Sequence, residues 1–191
     1  MDLDNVETWD AEEQSTVSGT IYWLKATAHQ GKRVLESSIY ETKHFNSAIY
    51  NSPRRMEELF FLTACRKAHR WMQPVREYST EAARFFAFEG VVKKVRDSRE
   101  HEEERYGLRK RRDDEISPAN TDSALELHVS RSITVERHGR LVLGGLVDVA
   151  EIIEAAELLL VQFISKHRAY WDWRISYKPE VAESYYIERD F

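Results

Sequence analysis

At 191 residues the chain is sized for one domain with an appended segment, at about 150 residues per domain, and is long enough to bury a real core. Lys and Arg number 28 against 33 Asp and Glu, a net charge of −5; this excludes a domain-wide basic field for nucleic acid and leaves room only for a local basic patch. Charged residues at 32% and hydrophobic residues at 42% describe a soluble globular protein, and seven Gly with four Pro are too few for an all-β fold that turns roughly every 8–12 residues.

Cys65 is the single cysteine, which rules out an intrachain disulfide and a Cys-based zinc site within one chain. The opening residues are acidic, and the longest apolar stretch is a handful of residues around 158–161. Neither a secretory signal nor a membrane span is expected, so the chain reads as cytoplasmic with no membrane contact.

In chain order, residues 1–14 form an acidic segment expected to be flexible. A bundle domain is expected over 15–167. Its first helix is marked by Ile21, Leu24, Ala28, Gly31, Leu35, Ser38, Thr42, Phe45 and Ile49 at alternating steps of three and four, with small residues at 28, 31 and 38 that admit a close neighbour. Ser52 is a candidate N-cap and Pro53 a first helical residue for the second helix, over about 54–73, with Phe60, Ala64, Ala68 and Trp71 on one face and Pro74 as its stop. A third helix starts at Ser79-Thr80-Glu81 and carries the stripe Phe85, Phe88, Val92 and Val95.

An insertion follows over about 107–146. Its first part, Arg109-Lys110-Arg111-Arg112-Asp113-Asp114-Glu115 and then Ser117-Pro118, reads as an exposed loop. Its second part alternates at Leu125, Leu127, Val129, Ile133 and Val135, turns at His138-Gly139, and continues through Leu141-Val142-Leu143 to Gly144-Gly145, a short β-hairpin. Asp148 caps a last helix with the stripe Val149, Ile152, Ile153, Ala156, Leu159, Leu160, Phe163 and Ile164. Residues 168–191 read as an aromatic, irregular tail. The expected fold is mainly α, an up-down four-helix bundle with a hairpin inserted before the last helix.

Glycine-rich phosphate loops and His-Glu-x-x-His are absent from the sequence. Glu41-Thr42-Lys43-His44 is a Glu-x-x-His, but a di-iron centre needs two such motifs and two further Glu. No other histidine has Glu three residues before it, so these two residues read as a solvated helix face and no cofactor or metal is expected. Tyr170, Trp171, Trp173 and Tyr177 are expected to cover the bundle rather than to stack bases.

The segment over 95–106 is different. Arg96, the polar Asp97, three further residues and then His101 resemble the Arg-x4–6-His motif of the HEPN superfamily, small helical-bundle proteins of which many are RNA-cleaving toxins or defence effectors. The resemblance implies a bundle with the motif on its third helix, and a metal-independent endoribonuclease whose composite site forms where two protomers of a homodimer meet. An RNA substrate and a cognate antitoxin or defence-complex protein are the partners it implies. Members paired with nucleotidyltransferase antitoxins often carry Tyr two residues after the His; Glu103 stands there here. A second Arg-to-His spacing, Arg131 to His138, falls in the hairpin and reads as a turn.

The residues suit that chemistry on their own terms. A histidine titrating near pH 6.5 both takes and gives a proton at neutral pH, and an Arg fork binds a phosphate and its developing charge. Asp97 lies four residues before His101, over the same helical face, where a carboxylate can hold the imidazole in one tautomer. Arg96 lies about 140° around the helix from His101 and must reach with its long side chain. Both Asp97 and His101 are expected to point away from the apolar stripe, with Arg96, Asp97, Arg99 and Glu100 on a solvated surface. Arg109, Lys110, Arg111 and Arg112 are the candidate RNA-backbone contacts. The rival reading is a non-catalytic HEPN-like interaction module that binds RNA or a protein partner.

Overall fold

The computed structural model describes residues 1–43, 53–100, 134–137 and 140–177. The chain is a helical bundle carrying a small sheet. A 3₁₀ turn at Val6–Thr8 precedes α1 (Ala11–Lys43) and α2 (Pro53–Trp71); a second 3₁₀ turn at Gln73–Val75 leads to α3 (Thr80–Ala87) and α4 (Glu89–Glu100). Three short strands follow, β1 (Thr134–Arg137), β2 (Arg140–Leu143) and β3 (Val147–Asp148), and then α5 (Val149–Tyr177).

Helix α1 begins in a capping box. Asp10 Oδ1 accepts the backbone N–H of Glu12 and of Glu13 at 2.9 and 2.8 Å, and Glu13 Oε2 accepts the Asp10 N–H at 3.1 Å, which satisfies donors that a helix start leaves open. Within residues 1–14, expected to be flexible from their acidity, several side chains are buried or paired. Leu3 and Trp9 are 1% and 6% exposed, the Trp9 indole stacks on Tyr170, and Lys166 binds Asp4 at 2.6 Å. Two large apolar side chains outweigh the solvation preference of the acids around them.

Helices α2 and α5 each pack antiparallel on α1. Along α1 and α2, Arg33 meets Glu57 toward one end, Gly31 meets Phe61 midway, and Gly19 meets the ring of Trp71 toward the other. Along α1 and α5, Lys32 pairs with Glu157 at 2.6 Å, Gly31 touches Ile153, and Ser18 meets His167. Glycine is required where helices come this close: a Cβ on Gly31 would sit 2.5 Å from Ile153 Cγ1, and one on Gly19 only 2.4 Å from the Trp71 ring. The α1 seam is Val17, Leu24, Ala28, Gly31 and Val34, with Ile21 and Leu35 partly buried.

Helix α2 turns a different side inward than its spacing suggests. Ala64 and Ala68 are buried, but so are Phe61, Leu62, Cys65, His69 and Met72, while Phe60 is 49% and Trp71 37% exposed. The expected face is thus displaced by about one residue, because α2 is packed from two sides, by α1 and by α4.

Ser79 caps α3 as its position implies, its Oγ accepting the Ala82 N–H at 3.2 Å. The expected third helix is broken into α3 and α4 at Phe88, the C-cap of α3. Glu89 opens α4 tied to Arg66 at 3.0 Å, and the following Gly90 has weak helix preference. The apolar stripe still runs across the break, with Phe85, Val92 and Val95 fully buried. Helix α3 packs on α5, where Arg84 meets Glu154 at 2.9 Å, and α4 packs on α2.

The described part of the expected hairpin is present as an antiparallel pair of strands, while Leu125, Leu127, Val129, Ile133 and the His138-Gly139 turn are outside the described residues. Thr134 pairs with Leu143 and Arg137 with Arg140, so two residues connect the strands. Gly144 and Gly145 follow at φ 59° and 68°, a left-handed backbone that glycine adopts without strain, and they fold β3 back to give the sheet order β1-β2-β3. The two-residue β3 is too short to read from alternation. Asp148 then caps α5, its Oδ1 accepting the Glu151 N–H at 3.0 Å.

Helix α5 does not stop at the expected boundary of an irregular tail. It runs on to Tyr177, because Tyr170 and Trp171 continue its buried face at 3% and 4% exposure. Among the described residues no helix is long and apolar enough to cross a membrane.

Candidate active site at the end of α4

The last turn of α4 holds the described part of the HEPN-like motif. Val92 and Val95 anchor the helix in the core, which sets the direction of every residue after them. Arg96 and Asp97 are half-buried and lie off that stripe. The Arg96 guanidinium turns along the helix to Glu100, Nε donating to Oε1 at 2.9 Å and Nη2 to Oε2 at 2.7 Å, a fork geometry that suits any carboxylate or phosphate.

His101, the proposed proton-transfer residue, is outside the described residues, as are Arg109, Lys110, Arg111, Arg112, Glu103, Arg131 and His138. Glu41 is in the last turn of α1, and His44 is outside the described residues. Among the described residues no group of three or more His, Cys, Asp and Glu side chains converges.

Arg99 corrects the expectation of a uniformly solvated charged run. Its side chain is 3% exposed and pairs through Nη1 with Glu58 of α2, itself 4% exposed. Nη2 donates to Thr134 Oγ1 at 2.9 Å, and the Thr134 hydroxyl donates to Glu58 Oε1 at 2.7 Å. Arg54 Nε donates to the same Glu58 oxygen at 2.9 Å. Burial pushes the Arg99 guanidinium below its ordinary range against the pull of Glu58. The signal was in the spacing: Arg99 continues the Val92–Val95 stripe at i+7 and i+4, and Glu58 precedes Phe61, Leu62 and Cys65 on the buried side of α2.

Three further groups with chemical potential are occupied by structure. Cys65 is fully buried, and burial pushes its thiol up, which makes it inert as a nucleophile. His69 is buried and donates Nε2–H to the Phe85 carbonyl at 3.0 Å. Ser18 Oγ lies 3.3 Å from His167 Nε2, as a serine nucleophile and its base would, but the same nitrogen accepts the Trp171 indole N–H at 3.1 Å. That lone pair is therefore shared with an indole that can only donate.

Comparison of the chain with models of protein families, with curated proteins and with solved structures found no match. The aromatic residues near the C-terminal end of α5 divide between two roles. Tyr170 and Trp171 cover the core, with the Arg174 guanidinium 5.7 and 5.5 Å from their ring centres. Trp173 packs partly buried against the core and also stacks on Tyr177, which is 72% exposed.

Proposed function

We propose that the protein is a metal-independent endoribonuclease of the HEPN type, an up-down four-helix bundle whose composite active site forms between two protomers of a homodimer. The observation that carries this reading is the half-exposed position of Arg96 and Asp97 in the last turn of α4, directly before His101 and off the buried stripe. In this reading His101 removes the proton from a ribose 2′-OH, the oxygen attacks the adjacent phosphorus, and the bond to the 5′-oxygen breaks as that oxygen takes the proton from the imidazolium, leaving a 2′,3′-cyclic phosphate and a 5′-hydroxyl. Arg96 binds the phosphoryl oxygens as charge builds on them, and Asp97 orients the imidazole.

Arg96 must exchange Glu100 for phosphate to do so. An i,i+4 ion pair of this kind contributes only about 0.3–0.5 kcal/mol, a small cost against a bidentate phosphate contact. Arg109, Lys110, Arg111 and Arg112, the candidate RNA-backbone contacts of this reading, follow the motif in sequence and are outside the described residues. Toxin or defence roles, and an antitoxin or defence-complex partner, follow from the same resemblance.

One observation favours the rival reading of a non-catalytic interaction module: both forks of Arg96 are satisfied by Glu100. The deciding experiment incubates purified protein with a mixed-sequence RNA in the presence and in the absence of chelator. Cleavage that persists and leaves a 2′,3′-cyclic phosphate supports the nuclease, because a 2′-OH nucleophile requires no metal-bound water. Cleavage that chelator abolishes, or a 3′-hydroxyl product, removes this mechanism; absence of cleavage both with and without chelator gives the module reading its place.

A further inference from the structure

The buried Glu58 and Arg99 and the half-buried Thr134 form a polar cluster that joins three elements at one point, with Arg54 of α2 also bound to Glu58. Glu58 comes from α2, Arg99 from the last turn of α4, and Thr134 from the first residue of β1. Two residues of this cluster flank the 101–133 segment, and the third is in the core. The cluster is poor value as a source of stability, since the desolvation of a buried ion pair offsets most of its attraction and a packed apolar group serves as well or better. One of its donors, Arg99 Nε, is buried with no hydrogen-bond partner among the described residues, which adds to the cost. What such a pair supplies that an apolar contact does not is direction: a planar guanidinium held by a carboxylate and a hydroxyl permits one orientation of the helix that bears it.

We infer that Glu58, Arg99 and Thr134 are positioning residues for the reaction at α4: the buried clasp fixes the rotation and the end of that helix, and so fixes where Arg96 and Asp97 are presented beside the entry to residue 101. The inference rests on the nuclease reading above. Arg96 is three residues before Arg99, and a change in the rotation of the last turn carries Arg96 and Asp97 with it. Displacement of a catalytic group by about 1 Å is enough to lose roughly 100-fold in rate.

The test separates positioning from mere support by replacing the clasp with apolar groups of similar size. The triple variant Glu58→Met, Arg99→Met, Thr134→Val keeps the volume filled and removes the direction; Thr134→Val alone removes one hydroxyl. Each is measured for thermal midpoint, RNA cleavage with kcat and KM separated, and amide hydrogen exchange over residues 96–100. The expected result is a triple variant that melts at or above the wild-type temperature, with kcat lower by about 100-fold, KM little changed, and faster exchange in the last turn of α4. A stable triple variant with wild-type kcat overturns the inference. Should the triple variant fail to fold, Thr134→Val decides by the same kcat and exchange measurements. His101→Ala runs in parallel: if it cleaves like the wild type, the nuclease reading fails, and the clasp is then judged on exchange alone, where unchanged protection over 96–100 overturns it.

Discussion

Glu58 and Arg99 form an ion pair across α2 and α4 in which both side chains are almost wholly removed from water, whereas Arg96, one turn earlier on the same helix, makes its pair with Glu100 at the half-exposed surface. The two arginines should therefore respond differently to truncation. Arg99→Ala takes from the buried Glu58 its most buried partner, leaving Arg54 and Thr134 on one oxygen, and is expected to cost about 2–4 kcal/mol, below the loss for a wholly unpaired buried charge. Arg96→Ala is expected to cost less than about 0.5 kcal/mol, part of it returned by the better helix preference of Ala. Urea midpoints of the two variants check this, and equal losses would contradict the assignment of Arg99 to the core.

Activity should divide in the opposite sense. His101→Ala is expected to reduce RNA cleavage by roughly 10²–10⁴-fold, the usual share of a proton-transfer group, with a melting temperature near that of the wild type. Arg96→Ala should follow it. Val92→Ala is the control, because Val92 is fully buried; it should lose at least about 1 kcal/mol through the core and keep its activity per folded molecule. Wild-type cleavage by purified His101→Ala would remove the catalytic assignment.

A composite site requires two protomers, so sedimentation of the pure protein at micromolar concentration should show a symmetric dimer. A monomer under those conditions excludes the proposed arrangement of the site.

His69 gives the fold a defined pH dependence. It lies between the rings of Phe85 and Phe86, with centroids at 4.5 and 5.5 Å, and its Nδ1 has no partner. Burial holds its pKa below the ordinary value, outweighing the Phe85 carbonyl and Glu89, which favour protonation, while Arg66 and Arg76 oppose it. The unfolded chain takes up this proton near pH 6.5 and the folded chain only at lower pH. The stability contributed by neutral His69 is therefore complete above about pH 6.5 and is lost as pH falls from there toward the folded value. His167 is shifted in the same direction by its own burial, with Lys25 adding to it. Denaturation of His69→Gln should show a lower midpoint at pH 7.5 and a smaller drop between pH 7.5 and 5.5 than the wild type. An unchanged slope in both His69→Gln and His167→Gln would refute it.

Two glycines should give opposite signs on replacement by alanine. A Cβ on Gly31 meets Ile153 and Phe61, at 2.5 and 3.1 Å, so Gly31→Ala is expected to destabilise, overpacking of about 1–3 kcal/mol exceeding the helix-propensity gain of about 1 kcal/mol. A Cβ on Gly90 meets nothing within 4 Å, and Gly90→Ala is expected to stabilise by about 0.4–1 kcal/mol. Thermal melts of the two variants are sufficient to check the contrast.

Local signals in the sequence determined the starts of helices and the turn of the hairpin. Ser79 and Asp148 cap the helices they precede, Pro53 opens α2, and Arg137 pairs with Arg140 across the strands, because each of these features depends on atoms within a few residues of one another. The long α5 stripe was equally legible, since burial on one side writes a 3.6-residue period. Tertiary structure alone decided what depends on two elements meeting. The acidic first segment docks because Leu3 and Trp9 find partners far along the chain, among them Tyr170; α2 hides Phe61 rather than Phe60 because helices cover it from two sides. Within the motif, charge alone assigns Arg96, Arg99 and Glu100 to one solvated run, although the spacing of Arg99 from Val92 and Val95 turns it toward the core. The packing of α4 on α2 separates them, sending Arg99 inward to Glu58 and leaving Arg96 at the surface, because the cost of burying a guanidinium is offset only where another helix brings a carboxylate to meet it.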